Sequence, residues 1–337
     1  MGVVHFLNVK DGDCSIIQHA TGHVSVIDVC NAKPPEQSSL DEALAKADIF
    51  GNFNQKAYPV NPVVYLQEHG ITDVFRFVLT HPDMDHMDGI EAFCAAFPPT
   101  NFWDTDNKKE IDFSQGSPYR EADWLFYKSQ RDGKAKGPKR LVLYADASGQ
   151  YYNKNDSGNG GGDGLHILAP TSKLIDGANS TDDYNDGGYV ILYRSAGGRV
   201  LFAGDSHDKT WEHILENHAD DVQDVDLLIA PHHGRKSGRS YEFLDLVNPA
   251  LTLFGNAASE HLAYDAWNYR KLPVITNNQA GCVVIDTNVK PMAVYVTNLA
   301  YAQRLDQATS YSQPHRAYSV GTIRTHAQLA AARAKIA

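Results

Sequence analysis

The sequence predicts an α/β fold in which short buried strands end in side chains able to ligate metals. Three stretches carry that prediction. Val74 to Leu79 is apolar and β-branched enough to read as a buried strand, and His81, Asp83, Asp85 and His86 follow within a few residues. Arg199 to Ala203 is a second such strand and runs into Gly204-Asp205. Asp226 to Ala230 is a third, followed at once by Pro231-His232-His233-Gly234. Strand–carboxylate, helix, strand–imidazole is the order expected when ligands gather at the C-terminal edges of sheet strands. Neutral imidazole nitrogen and anionic carboxylate oxygen match borderline and hard divalent cations. A solvated polar turn is the ordinary reading of a lone His-x-Asp, but it does not account for this density of ligands.

Taken in order, residues 3–9, 14–18 and 24–29 read as strands, with turns at Gly12-Asp13 and Gly22. Residues 31–60 are polar, carry Pro34-Pro35, and read as an insertion with one helix near Leu40 to Ala47. Asn61-Pro62 starts a helix that Gly70 ends. Pro82 and its polar neighbours stop strand 74–79, and Asp88 is expected to N-cap a helix over 89–96. A strand at 101–104, a helix over 119–131 and a basic, Gly-rich stretch at 132–140 follow. Asn153 to Gly164 reads as a flexible loop rather than a lid. Strand 165–170 presents His166 on one face, and Asp182 to Gly188 leads into strand 189–193. Helices are expected over 207–218, 240–247 and 262–271, and strands at 250–254, 274–276 and 281–286. An Ala-rich helix, Thr325 to Ala337, is expected to pack on the domain or against a second subunit.

A chain of 337 residues with 42% hydrophobic content sustains one large or two ordinary domains. A net charge of -11 argues against a protein that coats nucleic acid electrostatically. A nuclease remains open, because its metals supply local positive charge. Cys14, Cys30, Cys94 and Cys282 lack a C-x-x-C spacing and are expected as buried thiols in a reducing compartment. The N-terminus has no basic-apolar signal pattern, and no apolar run nears the roughly 20 residues that span a bilayer. The expectation is a soluble, cytoplasmic protein with no membrane partner. No P-loop, G-x-S-x-G or kinase signature competes with the metal reading.

Thr80-His81-x-Asp83-x-Asp85-His86-x-x-Gly89 resembles the second motif of the metallo-β-lactamase fold superfamily. With Asp at the third position, it resembles the hydrolase domain of the ComEC/Rec2 DNA-uptake proteins, without their membrane channel. Gly204-Asp205 resembles the fourth motif, and His232-His233-Gly234 the fifth in its ComEC-like form. The opening Gly12-Asp13 hairpin and the closing Thr276…Gly281 strand pair also match, so the resemblance covers about residues 1 to 297. It implies an αββα sandwich over 1–300, with insertions near 31–60 and 105–164, and a C-terminal extension over 301–337. Asp28 would brace the metal loop by hydrogen bonding, the alternative being a simple strand-end cap. No His occupies the third-motif region, where Asn185 is the best match.

The resemblance also implies a two-metal hydrolase. Two divalent ions, zinc or manganese, would act as Lewis acids and lower the pKa of a shared water from about 15.7 toward 7. One site would take His81, Asp83 and Asp205, and the other Asp85, His86, Asp205 and one of His232 and His233. His232, the first imidazole past the strand, is favoured. Asp83 hardens the site toward manganese. Asp85, Asp205 and His261 are the expected catalytic residues, with His261 contacting substrate or protonating the leaving oxygen. Asn185, Arg235, Lys236, Ser237 and Asn256 are expected to bind substrate, the Arg and Lys through phosphate oxygens. The expected activity is that of a phosphodiesterase or nuclease on a phosphodiester, DNA or RNA included. The alternatives are a metallohydrolase of small esters, lactones or thioesters, and a non-catalytic binding module that kept the fold.

Overall fold

Hydrophobic alternation along the strands decides the architecture. The computed structural model describes residues 2–33, 53–134, 136–155, 157–257 and 259–334, so the helix expected near Leu40 to Ala47 lies outside the described residues. The chain lays down β1 (Val3–Phe6), β2 (Ser15–Gln18), β3 (Val24–Ile27), β4 (Arg76–Val78), β5 (Asn101–Asp104) and β6 (Lys139–Val142). It then forms β7 (Leu165–Ala169), β8 (Val190–Arg194), β9 (Arg199–Phe202), β10 (Leu227–Ile229), β11 (Leu251–Phe254) and β12 (Val274–Thr276). It closes with β13 (Val283–Asp286), β14 (Ala293–Val296), β15 (Tyr311–Ser312) and β16 (Ala317–Thr322). Among the described residues the first and last groups make one sheet, in the order β15-β16-β14-β13-β1-β2-β3-β4-β5-β6. The middle group makes a second, in the order β12-β11-β10-β9-β8-β7.

Successive residues of a strand face opposite sides, so each sheet serves two cores. Val4, Phe6, Ile17, Ile27 and Val78 of the first sheet meet Ile167, Ile191, Phe202, Leu227 and Leu253 of the second. The alternate residues Ile16, Val26, Phe77 and Phe102 face outward instead. They bury Tyr65, Phe93 and Trp124 of the helices Pro62–Glu68, Ile90–Ala96 and Glu121–Arg131. On the far side Leu192, Leu201 and Leu228 pack against Trp211, Phe243 and Trp267. Those residues belong to the helices Asp208–Asn217, Phe243–Val247 and Tyr264–Tyr269. The result is the expected αββα sandwich. Trp267 is wholly buried and donates its indole N–H to Thr252 Oγ1 at 2.9 Å, so truncating it to Ala would cost about 3–5 kcal/mol.

The parallel runs position the site. β3, β4 and β5 are parallel in one sheet, and β9, β10 and β11 in the other. Loops leaving β3, β4, β9 and β10 carry Asp28, His81 to His86, Asp205 and His232-His233.

Several local expectations are corrected. Asp88 does not cap the helix Ile90–Ala96: Gly89 is the N-cap, and Asp88 turns to Lys33, 2.8 Å away. The helix instead receives its cap from Asp123 Oδ1, which accepts from Glu91 N at 3.1 Å. The Gly-rich stretch is anchored at its end, where buried Asp163 pairs with buried Arg76 at 3.0 Å and accepts from Thr21. The basic stretch ends in β6, a charged edge strand whose Arg140 bonds Asp104. Thr171 caps a helix over Ser172–Thr181 that weak helix formers concealed. Residues 311–322 add β15 and β16 to the first sheet beside β14, and the last helix is described over His326–Ala334. No helix among the described residues is long and apolar enough to cross a membrane. All four cysteines are buried free thiols.

Candidate metal centre

Four loops converge on Asp205, which is buried at the end of β9. Its Oδ1 lies 3.3 Å from His86 Nε2, and its Oδ2 lies 3.7 Å from His233 Nε2. His81 Nε2 and His232 Nε2 stand 3.8 Å and 3.7 Å from Oδ2. Asp85 Oδ2 is 3.4 Å from His233 Nε2, and Asp83 Oδ2 is 3.7 Å from His81 Nε2. Three groupings have ligand atoms all within 4.8 Å of one another: His81, His86 and Asp205; Asp85, His86 and His233; and Asp13, Asp205 and His233.

The backbone is bent to bring these groups together. His232 and His233 are consecutive left-handed residues, with φ of 54° and 58°. Such conformations cost on the order of 1–3 kcal/mol each in a non-glycine residue and need support from their surroundings. His232 N donates to Gly204 O at 2.9 Å, which ties the end of β10 to the loop that carries Asp205. Gly12 is required by close approach, because a Cβ there would stand 1.7 Å from Asp85 O. The opening hairpin therefore presses directly on the metal loop.

Partners behind the rings aim them. Asp28 Oδ2 accepts from His86 Nδ1 at 2.8 Å and from the Thr80 hydroxyl at 2.6 Å, while Oδ1 accepts from Thr80 N at 2.7 Å. Asp28 is thus a brace of the metal loop. Thr80 Oγ1 in turn meets His81 Nδ1 at 3.1 Å. His233 Nδ1 faces Asp13 Oδ1 at 3.0 Å. The inward atoms, His81 Nε2, His86 Nε2, His233 Nε2 and Asp205 Oδ1, are buried and have no hydrogen-bond partner among the described residues. Buried polar atoms are nearly always paired. Several unpaired lone pairs aimed at one another fit a divalent cation. Asp85, His86, His233 and Asp205 would hold one ion, and His81, Asp83 and Asp205 a second.

The electrostatics agree with a cation site. Burial alone would raise the Asp205 carboxyl, but His233, His86 and His81 hold it well below the carboxylate range. Burial would lower His86, yet the Asp205, Asp28 and Asp85 carboxylates raise it well above an ordinary imidazole. Against the same burial, Asp13 and Asp205 push His233 up to about 10. His232 behaves oppositely. Burial pushes it down to about 4, aided by His233 and Arg239 against the pull of Asp205.

The expected residues divide. His81, Asp83, Asp85, His86, Asp205, His232 and His233 come together. The imidazole against Asp85 is His233, not the favoured His232, because the left-handed pair turns the second ring inward and leaves the first a quarter exposed. Asp83 is shared with Lys109, whose ammonium pairs with its Oδ1. Asn185 lies beside the centre, its Nδ2 3.5 Å from His207 Nε2. His261 has a side chain 67% exposed beside Glu260, and its backbone O accepts from Lys236 N of the ligand loop. Asn256 is buried and spends both N–H donors on Asn8 Oδ1 and Val9 O, so it straps the hairpin and offers substrate no donor. Arg235 is 3.8 Å from Asp11, Lys236 is 3.5 Å from Asp265, and Ser237 Oγ accepts from Arg239 Nε.

Lys109, Arg239, Asp13 and His207 went unassigned from sequence. Two carried a signal: Asp13, in the Gly12-Asp13 turn of the opening hairpin, and Arg239, the last cation of the Gly234 to Arg239 run. Arg239 is 6% exposed and donates to Ser206 O at 2.7 Å and to His232 Nδ1 at 3.1 Å.

No family model matches the chain, and no curated relative does. Solved structures do. One is the metallo-β-lactamase fold protein YhfI from Bacillus subtilis, at 10% identity over 84% of this chain and 100% of that one, with a TM-score of 0.46. A diphosphatase of the PhnP family is 12% identical over 81% and 94%, with a TM-score of 0.41. Tm1679, a metal-dependent hydrolase of the β-lactamase superfamily, is 10% identical over 82% and 96%, with a TM-score of 0.43. At these identities the likeness concerns fold alone, and the two-sheet layering here rests on the chain's own strand order.

Proposed function

We propose that the protein is a metal-dependent hydrolase of phosphodiester bonds, with DNA or RNA among its substrates, akin to the ComEC-like branch. The observation that carries the hydrolase reading is the convergence of three buried, unpartnered imidazole Nε2 atoms on the Asp205 carboxylate. A divalent ion there, zinc or manganese, supplies Lewis acidity and lowers the pKa of bound water. Asp85, His86, His233 and Asp205 hold it, while Asp28, Thr80 and Asp13 keep their lone pairs aimed. The phosphodiester part has separate support. In a chain whose net charge is -11, Lys109 pairs with Asp83, Arg239 bonds His232, and Arg235 and Lys236 follow the His232-His233 pair directly in sequence. Cations so placed suit a substrate whose negative charge must approach Asp83, Asp85 and Asp205.

One observation favours the alternative of an uncharged ester, lactone or thioester. Arg235 and Lys236 lie near Asp11 and Asp265, which offset part of their charge. Metal analysis followed by parallel assays on DNA, a chromogenic phosphodiester and a lactone separates the readings. Turnover of DNA or the phosphodiester, weakened in KM by Arg235→Ala with Lys236→Ala, supports the proposal. Turnover of the lactone alone replaces it with the ester reading. Absence of bound metal leaves a non-catalytic module.

A further inference from the structure

The four histidines of the centre do not carry their protons on the same nitrogen. The Thr80 hydroxyl gives its single proton to Asp28 at 2.6 Å, so toward His81 Nδ1, 3.1 Å away, it can only accept. His81 therefore bears its proton on Nδ1 and a lone pair on Nε2. His86 Nδ1 is hydrogen-bonded to the Asp28 carboxylate, which only accepts, and His233 Nδ1 lies 3.0 Å from Asp13 Oδ1 without hydrogen-bond geometry. Once an ion displaces their second proton, the lone pair that each of these rings offers is likewise on the inward Nε2.

His232 is the exception. Its Nδ1 faces Arg239 Nη2 at 3.1 Å, and a guanidinium has no lone pair to offer. The Nδ1 must accept, and the proton sits on Nε2. Arg239 cannot readily turn away. Its Nη1 donates to Ser206 O at 2.7 Å, its Nε to Ser237 Oγ at 2.5 Å, and it is almost wholly buried. The His232 backbone is equally fixed by its bond to Gly204 O. The ring keeps a quarter of its surface exposed, and its Nε2 stands 3.7 Å from Asp205 Oδ2, beyond hydrogen-bond reach. Among the described residues the N–H is thus unspent, and it sits at the mouth of the centre.

We propose that His232 is a fixed hydrogen-bond donor to an anionic oxygen of the substrate rather than a metal ligand, with Arg239 setting its tautomer. The proposal rests on the metal-dependent hydrolase reading for its substrate, but the proton's position does not. In a phosphodiester the acceptor is a non-bridging phosphoryl oxygen. A donor held toward developing negative charge is worth about 10²–10³ in turnover. Arg239 is a positioning residue, because its guanidinium acts on the substrate through the ring.

Long-range proton–nitrogen correlation on ¹⁵N-labelled, metal-free protein at neutral pH reads the proton directly. The His232 Nε2 should report as protonated, and Arg239→Met should turn that signal into a mixture of tautomers. Zinc should then shift His81, His86 and His233 to metal-bound values and leave His232 unmoved. In metal analysis His232→Ala should keep the parent stoichiometry, whereas His233→Ala should lose an ion. On zinc-loaded protein His232→Ala should weaken inorganic phosphate binding about tenfold and slow phosphodiester turnover about 10²-fold. His232→Gln, which keeps an N–H, should recover part of both. A lone pair on His232 Nε2, a zinc shift at that nitrogen, or loss of an ion in His232→Ala overturns the proposal. Unchanged phosphate affinity in His232→Ala also overturns it. If the parent protein binds no zinc while His232 still reports a protonated Nε2, the hydrolase reading has failed and the tautomer assignment has not.

Discussion

Two sets of ligands meet at Asp205. His86 and His233 are both fully buried, and each has its own carboxylate behind it, Asp28 and Asp13. His81 is also buried, but its carboxylate partner Asp83 is 35% exposed and tied to Lys109. Asn185 places its Nδ2 3.5 Å from His207 Nε2. Ligands braced from behind and shut away from water bind a cation more tightly than ligands that compete with solvent and an ammonium. The comparison teaches that the two sides should differ in affinity, with the His86–His233 side filling first.

Removing the shared group tests both sides at once and should have the largest effect. Asp205→Ala should abolish turnover and lower metal content on both sides while circular dichroism shows the fold retained. Activity within a few-fold of the parent would remove Asp205 from the centre.

Next in size is the effect of pH. Without metal His233 holds its proton to about pH 10, so an ion must displace it. Metal affinity should therefore climb by at least about tenfold per pH unit from neutrality toward that value, measured by competition with a chromophoric chelator. Stability of the metal-free protein runs the other way. His233 has a folded pKa above its unfolded value of about 6.5, so its contribution is complete below that pH. It is lost as pH rises toward about 10. Melting curves in chelator and in zinc should diverge as pH rises, and parallel curves would contradict the raised His233.

The brace comes third. Asp28→Ala removes the acceptor of His86 and Thr80 and should weaken metal binding about 10–100-fold. Unchanged affinity would reduce Asp28 to a strand-end cap.

The smallest effect sharpens the asymmetry. Lys109→Met frees Asp83 and should tighten the second equivalent of metal by only a few-fold. The pair is partly screened by water and worth at most about 1 kcal/mol. A calorimetric titration resolves the two equivalents, and an unchanged second step would mean that Lys109 does not compete with metal.

The residues legible in the sequence are those whose neighbours along the chain announce them. His86 and Asp205 follow buried strands directly, and the ligand types cluster within a few residues. Asp28 was legible as a brace only with its alternative, because its partners Thr80 and His86 lie some fifty residues on. Asn256 and His261 show that nearness in sequence to a ligand loop says nothing of which way a side chain turns. Asn256 turned inward to hold the hairpin, and His261 outward to water. Lys109 had no local pattern at all, since it meets Asp83 only through the folding of the intervening helix and strand.

Local chemistry along the chain determined the layered α/β fold, through alternation of apolar residues, and the identity of the ligand loops, through their placement after buried strands. Tertiary structure alone decided which member of the His232-His233 pair faces Asp85. It also decided that Asp83 shares a lysine and that Arg239 sets the proton on His232. Periodicity is a one-dimensional signal that burial enforces at every strand. Orientation around a centre depends on backbone torsions such as the left-handed pair at His232 and His233, and on partners supplied by distant segments.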